Sequence, residues 1–467
     1  MKKSILFLIF VLTTCLYSTI INVPIDEPTI QAGIDAAADT DTVLVAEGTY
    51  FENIDFLGKA VTVASNFIID GDEAHIENTI INGSQSTDPD FGSCAMFMSY
   101  EGNDSVLAGF TLTEGTGTFY ENYGTMGGGI MCMCSSPKIV SNIITNNNAT
   151  LSGGIDCSSN SSAIILNNVI SYNTATGNMG GLTLYDSNAN VEGNIIAYNT
   201  AQEGAGGVAI QGCSPILVNN LIVYNSAAFG GGLVFWNSES EIINCTISGN
   251  ISTGNGGGIY CHYYSHLDLV NTIMWNNSPQ EIYVNTGSIG ATYSDIQGGW
   301  GGEGNINADP LFVGTGDHPF MLQDLSPCVN TGIEDTTGLN LPEFDFAGND
   351  RIYGGRIDMG AYEWQGTQIN DDELSIVNYK LNNFPNPFNP ETTIRYQLPN
   401  NGKVELAIYN LKGQKVKQLV NDQLLVGQHS VVWNGRDSND KRISSGMYFY
   451  KMKTDNHEET KKMILLK

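Results

Sequence analysis

A pair of glycines followed by Ile, Leu or Val recurs along the middle of the chain at intervals of 25 to 27 residues. The pairs begin at Gly128, Gly153, Gly180, Gly206, Gly231 and Gly257. A second pattern, Ile-x-x-Asn, keeps step with the first and ends at Asn147, Asn173, Asn199, Asn225, Asn250 and Asn276. Two patterns that stay in phase over six periods indicate a solenoid, in which each repeat is one coil stacked on the next.

Each period consists of short aliphatic runs separated by Gly, Asn and Ser, which is typical of strands and turns and not of helices. Stacked coils pair their backbones about 4.8 Å apart and bury one continuous apolar core. The leucine-rich-repeat pattern, which has a similar period, is missing. The repeats therefore predict an all-β chain built on a parallel β-helix.

Asparagine and glycine are expected to build the turns of this helix. Because Asn tolerates a left-handed backbone and its amide can bond the same amide one coil away, the column ending at Asn276 is predicted to form a ladder. A second column comprises Asn142, Asn168, Asn194, Asn220 and Asn271, with Cys245 interrupting it. The glycine pairs are predicted to supply corners with positive φ. Cys132 and Cys157 occupy equivalent inward positions, either as a disulfide or as two thiols.

The two repeat motifs resemble those of polymorphic outer-membrane adhesins and of right-handed parallel β-helix proteins of the pectate-lyase-like superfamily. Residues 29–50, TIQAGIDAAADTDTVLVAEGTY, are similar to the first capping helix and coil of that superfamily. Ile30, Ile34 and Ala37 would form an apolar helical face that covers the end of the core. The stretches NADPLFV, SPCVNTG and DMGAYEW, which begin at Asn307, Ser326 and Asp358, resemble the closing segment of surface-anchored members. The resemblance implies a capped and closed β-helix over residues 19–366.

The charge of the chain changes sign near the C-terminus. Residues 371–467 hold 14 basic and 11 acidic side chains, whereas residues 1–370 hold 6 basic and 38 acidic ones. This contrast indicates a separate domain after a polar linker at 367–379. Alternating strands predict a small antiparallel sandwich of the immunoglobulin type at 380–467. Its segments NNFPNPFNPETTIRYQLP, LAIYNLKGQKVKQLV and SSGMYFYKMK resemble the C-terminal sorting domain of type IX secretion substrates, which implies contact with the outer-membrane secretion machinery and display at the cell surface or release.

The first 18 residues hold two lysines, an apolar run and then small and polar residues, which is typical of a secretory signal peptide. The apolar run is too short to span a bilayer and no later stretch is apolar enough, so the mature chain is predicted to be exported without a transmembrane helix. A net charge of -29 would repel nucleic acid and argues against it as a partner. No motif names a cofactor, and calcium on so acidic a surface has no assigned residues.

A polysaccharide lyase or glycoside hydrolase is the alternative function that the superfamily resemblance implies. Lyases need a base and a cation beside the substrate carboxylate, yet Lys138 is the single basic residue between Lys59 and Arg351. The signatures of polygalacturonase-type hydrolases are missing, and the only Asp-Asp pair lies in the linker. Paired carboxylates on neighbouring coils stay an open alternative. No catalytic residue is assigned, and binding without catalysis is favoured.

Aromatic side chains supply the candidate binding surface. If the residue after each glycine pair points inward, alternation places Ile259 and Cys261 in the core and Tyr260 and His262 outside. The same count exposes Met131, Met133, Asp156, Tyr185, Gln211, Val234 and Trp236. We predict that Tyr185, Trp236, Tyr260 and His262 form an aromatic strip on which sugar rings stack.

Mutual stacking that merely stiffens the solenoid is the alternative interpretation of these rings. A second strip, for which the sequence predicts no orientation, comprises Tyr172, Tyr198, Tyr224 and Trp275. Taken with the export signals, the aromatic strip predicts a secreted or surface-displayed protein that binds polysaccharide or surface glycan as an adhesin does.

Overall fold

The computed structural model describes residues 18–366 and, nearer the C-terminus, residues 380–384, 388, 390–398, 402–410, 412–424, 427–439, 441–454 and 457–465. The chain divides into two compact units after Gly366. The predicted signal peptide, apart from Ser18, and the predicted linker at 367–379 lie outside the described residues.

The first unit is a solenoid of about 11 turns with three walls, each a parallel sheet. Sheet 1 contains the strands Ile20–Val23, Thr42–Val45, Thr62–Ser65, Val106–Ala108, Lys138–Val140, Ile164–Leu166, Asn190–Glu192, Ile216–Val218, Glu239–Ile243, Ser265–Val270 and Gly287–Thr292. Sheet 2 contains Gly48–Tyr50, Thr79–Asn82, Thr111–Thr113, Ile143–Thr145, Val169–Ser171, Ile195–Ala197, Leu221–Val223, Thr246–Ser248, Ile273–Trp275 and Asp295–Ile296. Sheet 3 contains Ile54–Asp55, Ala95–Phe97, Ile130–Met133, Ile155–Ser158, Leu182–Tyr185, Val208–Gln211, Leu233–Trp236, Ile259–His262 and Ile282–Val284.

The solenoid also contains shorter strands and helices outside these three sheets. A narrow parallel ladder between sheets 2 and 3 contains Asn148–Ala149, Thr174–Ala175, Thr200–Ala201, Ser226–Ala227 and Ile251–Ser252. A three-stranded antiparallel sheet contains Phe91–Gly92, Gly117–Tyr120 and Gly124–Met126. The helices are Ile30–Ala36, Phe67–Asp70 and Ala74–Asn78, with a 3-10 turn at Gly83–Gln85.

Strands on successive turns pair in register, so equivalent side chains form straight columns. Ile155, for example, pairs with Leu182, and Leu182 with Val208. The inward columns of the three sheets join into one buried cluster that extends along the chain from Val23 to Ile296. Because each turn gains its burial from the turns above and below it, the solenoid is stable only as a stack. The predicted parallel solenoid is confirmed.

The asparagine ladder is buried and fully paired. The Oδ1 atom of Asn173 accepts from the backbone N and the Nδ2 of Asn147, at 3.1 and 3.0 Å. The Nδ2 of Asn173 donates to the carbonyl of Ile144 and to Oδ1 of Asn199, at 2.9 and 3.0 Å. The same bonds repeat on each turn as far as Asn250, so a polar column crosses the interior without an unpaired amide.

The last position of each asparagine column differs from the prediction. The ladder continues from Asn250 to Asn277, and not to Asn276, because this turn carries one extra residue before the asparagine. In the second column Cys245 is followed by Thr272, and not by Asn271. The two displaced residues, Asn271 and Asn276, have positive φ angles of 52° and 59° and occupy the corner position that precedes each column.

The glycine pairs serve a different purpose from the one predicted. Neither member of any pair has a positive φ; the left-handed glycines are those that precede a pair, such as Gly127 and Gly256. A Cβ on Gly154, the second glycine of its pair, would lie 2.3 Å from the carbonyl oxygen of Gly181 on the next turn. Glycine is therefore required because the backbones of adjacent turns approach too closely for a side chain.

A short helix covers the N-terminal end of the core. Thr29 caps it by accepting from the N of Ala32, and both oxygens of the Glu52 carboxylate accept from the first free N–H groups, those of Ile30 and Gln31. Ile30 and Ile34 are completely buried. Ala37, the third apolar residue of the predicted face, is 4% exposed. This end of the stack is thus shielded from water and from pairing with another strand.

The closing segment, residues 307–366, packs on the outer side of sheet 2. Phe320 and Tyr362 share a buried cluster with Ala197, Leu221 and Val223. The buried guanidinium of Arg351 donates to the carbonyl of Gly360 at 2.8 Å. Nearby, the carboxylates of Asp358 and Glu363 accept backbone N–H groups of the same segment, and burial raises their pKa values to about 6 and about 8. This polar cluster fixes the segment to itself and has a structural role.

The second unit consists of two antiparallel sheets around one core. The first contains Lys380–Phe384, Thr392–Leu398 and Gly427–Trp433, and the second contains Gly402–Asn410, Lys415–Leu424, Gly446–Lys453 and Glu458–Leu465. Ile394 and Trp433 from the first sheet share a buried cluster with Leu406, Tyr450 and Met463 from the second. The sandwich arrangement is the one that the alternating strands predict.

Candidate functional site

Sheet 3 presents two columns of outward-pointing residues to its outer face. The first column comprises Met131, Asp156, Thr183, Ala209, Val234 and Tyr260, and the second comprises Met133, Ser158, Tyr185, Gln211, Trp236 and His262. Their opposite neighbours Ile259 and Cys261 lie in the core, as alternation requires. The two columns have very different exposures.

The first column is covered from Met131 to Val234, which contradicts the expected exposure of Met131, Asp156 and Val234, and only Tyr260 is partly exposed. All three side chains are completely buried. The residue before a glycine pair packs over the first column. Ser152 donates from Oγ to Oδ2 of Asp156 at 2.6 Å, and Ala205 shares a buried cluster with Val234. Burial raises the pKa of Asp156 to about 6. Alternation therefore gives the direction of these side chains correctly, but the covering loop decides their exposure.

The second column stays at the surface except at Ser158, which is buried. Tyr185 is 42% exposed, and Met133, Gln211, Trp236 and His262 are each partly exposed. Each strand ends at its second-column residue, and the next residue has a left-handed backbone. The φ angle lies between 47° and 68° at Asp186, Gly212, Asn237 and Tyr263. Asn, Asp and Gly tolerate that conformation best, which accounts for three of the four residue types found there.

A groove of about 470 Å³ lies along the second column and the corner residues that follow it. It is lined by Tyr185, Asp186, Gln211, Gly212, Trp236, Asn237 and Tyr263. Three aromatic rings thus share the groove lining with three polar side chains, those of Asp186, Gln211 and Asn237. Within the described part of the chain these three side chains have no hydrogen-bond partner. Their donors and acceptors are therefore available to a ligand.

Gly212 determines where the carboxylate in this groove lies. A Cβ on Gly212 would stand 2.4 Å from Oδ1 of Asp186. The missing side chain lets the carboxylate of Asp186 lie against the backbone of the neighbouring turn. The groove lining contains this single carboxylate and no basic residue. Glycoside hydrolysis ordinarily uses two carboxyl groups flanking the bond, whereas this lining supplies one.

The four residues of the predicted strip lie on nearby turns of sheet 3, where Trp236 pairs with His262, but only two of them line the groove. Tyr185 and Trp236 line the groove, with Gln211 on the turn between them. Tyr260 and His262 lie outside its lining in a neighbouring aromatic cluster. In that cluster the ring of Tyr260 stacks on Tyr283 at 5.5 Å, and His262 meets Tyr263 edge to face at 4.4 Å. The Nδ1 of His262 lies 2.8 Å from Nδ2 of Asn285.

Four lining residues were missed from the sequence, namely Asp186, Gly212, Asn237 and Tyr263. The alternating count stops at the end of each strand, whereas these residues occupy the corner that follows it. A detectable signal was available: the residue after each second-column position recurs with the period of the repeat and is Asp186, Gly212 and Asn237 on three consecutive turns. These are the residue types that left-handed corners favour.

The second strip consists of stacked tyrosines at the corner before the asparagine ladder. The rings of Tyr172 and Tyr198 are 4.9 Å apart and those of Tyr198 and Tyr224 are 5.1 Å apart. All three are about half exposed and have positive φ. Trp275 is not part of this column, because it pairs with Ser248 in sheet 2. Here the mutual stacking is evident in the geometry, and it offsets the strain of an aromatic residue in the left-handed region.

The predicted cysteine pair lies within the described residues. Cys132 and Cys157 pair in register inside the core and are free thiols, and burial raises the pKa of Cys132 well above its ordinary value. No helix in the described ranges is long and apolar enough to cross a membrane. No group of three acidic, His or Cys side chains in those ranges is arranged to hold a metal ion.

Comparison with known proteins bears on the second unit. Residues 382–466 match the protein family described as secretion system C-terminal sorting domain. The second unit is a type IX sorting domain. The sorting domain indicates export of the chain to the cell surface or to the outside of the cell, and it implies interaction with the type IX secretion machinery. The solenoid that precedes the sorting domain is compatible with the resemblance to the pectate-lyase-like superfamily.

Two solved structures from Porphyromonas gingivalis are similar to parts of the chain. Dimeric latent PorU is 21% identical with a TM-score of 0.17, over 19% of this chain and 9% of PorU. PorZ, an essential surface component of the type IX secretion system, is 18% identical with a TM-score of 0.15, over 19% of this chain and 11% of PorZ. The matched part thus spans about a tenth of each of these proteins. No curated protein matches the chain.

Proposed function

We propose that the chain is an exported glycan-binding protein, which the sorting domain brings to the cell surface and whose solenoid holds a sugar polymer in the groove of sheet 3. One observation carries the proposal: the groove combines the rings of Tyr185, Trp236 and Tyr263 with three polar side chains that lack partners within the described part of the chain. Sugar rings stack on aromatic faces while their hydroxyl groups exchange hydrogen bonds with amides and carboxylates.

The direction of the groove supports an extended ligand. Tyr185 and Trp236 are separated by one turn, so their Cα atoms are two strand spacings, about 10 Å, apart along the solenoid axis. Gln211 lies between them with its amide free. A polymer that lies along the axis would meet an aromatic ring, a polar group and a second aromatic ring in sequence. The cluster of Tyr260 and His262 on the following turn would extend the same surface.

The test is a binding and cleavage assay on the purified protein. A panel of neutral, amino and acidic polysaccharides is offered with and without calcium, and retention, new reducing ends and unsaturated products are measured together. We expect retention of at least one polymer without cleavage. Trp236→Ala is expected to weaken retention by about fivefold or more, since loss of a stacked ring costs about 1 to 3 kcal/mol.

The matched control is Tyr123→Ala, which removes an exposed aromatic ring outside the groove and is expected to leave retention unchanged. Tyr260→Ala reports whether the neighbouring cluster contributes. Release of reducing ends or unsaturated products would instead support the alternative, a polysaccharide-degrading enzyme. If Trp236→Ala and Tyr123→Ala behaved alike, the rings of sheet 3 would have a purely structural role.

A further inference from the structure

We propose that the groove selects sugars that carry a free, positively charged amino group, a selectivity that rests on the proposed glycan-binding function. The observation is the juxtaposition of one unpaired carboxylate, that of Asp186, with the aromatic faces of Tyr185, Trp236 and Tyr263. A ligand of this class offers both a ring that stacks and an ammonium group that binds the carboxylate.

The carboxylate is free to take such a partner. Within the described residues no salt bridge or hydrogen bond engages the Asp186 side chain. Its position over Gly212 is set by close contact with the backbone, since a Cβ there would lie 2.4 Å from Oδ1. An ammonium group held against it would replace the lost water with a charged hydrogen bond, which is stronger than a neutral one.

The aromatic rings favour the same charge. A cation near the face of a Tyr or Trp ring is attracted by the negative potential of the π system. Two of the three rings, Tyr185 and Trp236, belong to the second column of sheet 3. Tyr263, like Asp186, occupies the corner position that directly follows this column. A protonated amino sugar would therefore gain from the rings as well as from the carboxylate.

The surrounding charge disfavours acidic sugars. Lys138 is the single basic residue between Lys59 and Arg351, and it lies in sheet 1 and not in sheet 3. Residues 1–370 carry a net charge of -32. A uronate or sulfated polymer in the groove would meet Asp186 without any neutralising cation and would be repelled.

Short ligands make the selectivity measurable, because a long polycation would bind an acidic surface anywhere. Binding of three trisaccharides to the full chain is measured by calorimetry at low and at high salt: fully N-acetylated glucosamine, the same trimer with free amines, and a trimer of galacturonate. We expect the free-amine trimer to bind about two- to fivefold more tightly than the acetylated one at low salt, since an exposed ion pair contributes this much, and the advantage to vanish at high salt.

The decisive variant is Asp186→Asn, which is expected to remove the advantage of the free amine and leave binding of the acetylated trimer unchanged. Its matched control is Asp268→Asn. Asp268 is an exposed aspartate of sheet 1 whose Oδ1 likewise lies over a glycine of the next turn, 2.6 Å from the Cβ position of Gly290. Asp268→Asn changes the net charge by the same amount but away from the groove. This variant is expected to bind the free-amine trimer more tightly than the acetylated one, as the wild type does.

The outcomes separate this inference from the function on which it rests. If the acetylated and free-amine trimers bind equally, or if the galacturonate trimer binds best, the groove binds glycan but the charge selection is wrong. If the preference for the free-amine trimer falls equally in Asp186→Asn and Asp268→Asn, the preference comes from the overall charge and the role of Asp186 is overturned. If the wild-type protein binds none of the three and retains no polysaccharide of the panel, both proposals fail.

Discussion

Glu281 lies where the asparagine ladder ends and supplies the acceptors that a further asparagine would otherwise provide. Its Oε1 accepts from the backbone N of Asn277 at 3.0 Å, and its Oε2 accepts from Nδ2 of the same residue. Each asparagine of the ladder donates from its backbone N and from Nδ2 to the asparagine of the next turn, so the last one needs another acceptor for these two bonds. A carboxylate, with two acceptor oxygens, satisfies both remaining donors at once.

Burial of Glu281 makes the stability of the solenoid depend on pH. Desolvation raises its pKa from 4.5 to about 7. Between these values the folded protein keeps a proton that the unfolded chain has lost, so this group makes the free energy of unfolding fall as the pH rises from about 4.5 to about 7. Glu281→Gln removes the titration. We expect this variant to gain stability relative to the wild type over that interval, measured by urea unfolding at a series of pH values.

The difference between the two proteins is the quantity to follow, because Asp156, Asp358 and Glu363 also have raised pKa values and tilt the wild-type profile in the same direction. Replacement of an exposed residue, Glu241→Gln, is the matched control and should leave the profile parallel to that of the wild type. Parallel profiles for Glu281→Gln as well would show that Glu281 keeps an ordinary pKa.

At the residue scale the sequence predicts side-chain direction better than exposure. Alternation correctly separates Ile259 and Cys261 from Tyr260 and His262, because a strand has a fixed period of two. The burial of Asp156 depends on a loop from the same turn that folds over it, and no local pattern reports such a contact. The shift from Asn276 to Asn277 has a related cause, since one inserted residue moves the motif without breaking it.

At the element scale the unit of the fold is the turn, and its thickness is set by the glycine pair. The carbonyl oxygen of Gly181 passes so close to Gly154 that a methyl group at Gly154 would overlap it, at 2.3 Å. We expect Gly154→Ala to lower the free energy of unfolding by about 3 kcal/mol, the upper range for overpacking a tight core. The change is measured as a shift of the urea midpoint in the full chain.

Gly102→Ala is the control, because a Cβ there would meet no atom within 4 Å and the backbone does not have a positive φ. It is expected to change stability by less than about 0.5 kcal/mol. Equal effects of the two substitutions would mean that the glycine pairs matter for the flexibility of the unfolded chain and not for contact between turns.

The repeated elements were predictable because each turn restates the same pattern, and agreement between turns suppresses the noise of any single one. The groove was only half predictable for the same reason. Its walls, Tyr185 and Trp236, occupy a strand position that the period identifies, whereas Asp186 and Asn237 occupy the corner beyond it. The closing segment has no repeat, and its position over sheet 2 follows from contacts between residues far apart in sequence, such as Tyr362 with Leu221.

At the scale of the whole molecule the two units have separate cores. The buried cluster of the solenoid and that of the sorting domain share no residue, and the two units carry charge of opposite sign. Deletion of residues 380–467 is therefore expected to abolish delivery to the cell surface and leave the thermal transition of the solenoid in place. Antibody labelling of intact cells that possess a type IX secretion system measures delivery, and circular dichroism of the purified variant measures folding.

A solenoid that unfolds when the sorting domain is removed would show that the two units depend on each other. Unchanged surface labelling of the deletion variant would place the export signal elsewhere in the chain. An internal deletion that removes one whole turn and keeps residues 380–467 serves as the control for delivery, since the sorting domain remains intact.

The asparagine ladder also sets how this protein can lengthen during evolution. From Asn147 to Asn225 each turn offers the next the same amide donors and receives at the same amide oxygen, mostly at a spacing of 26 residues. Tandem duplication of one such turn would leave every copied amide paired, so a gene can add binding surface in whole turns without inventing new contacts. A duplication that includes Glu281 would stack two buried carboxylates one strand spacing apart. Duplication of whole turns is thus compatible with the fold before Asn277, whereas duplication of the turn that holds Glu281 would destabilise it.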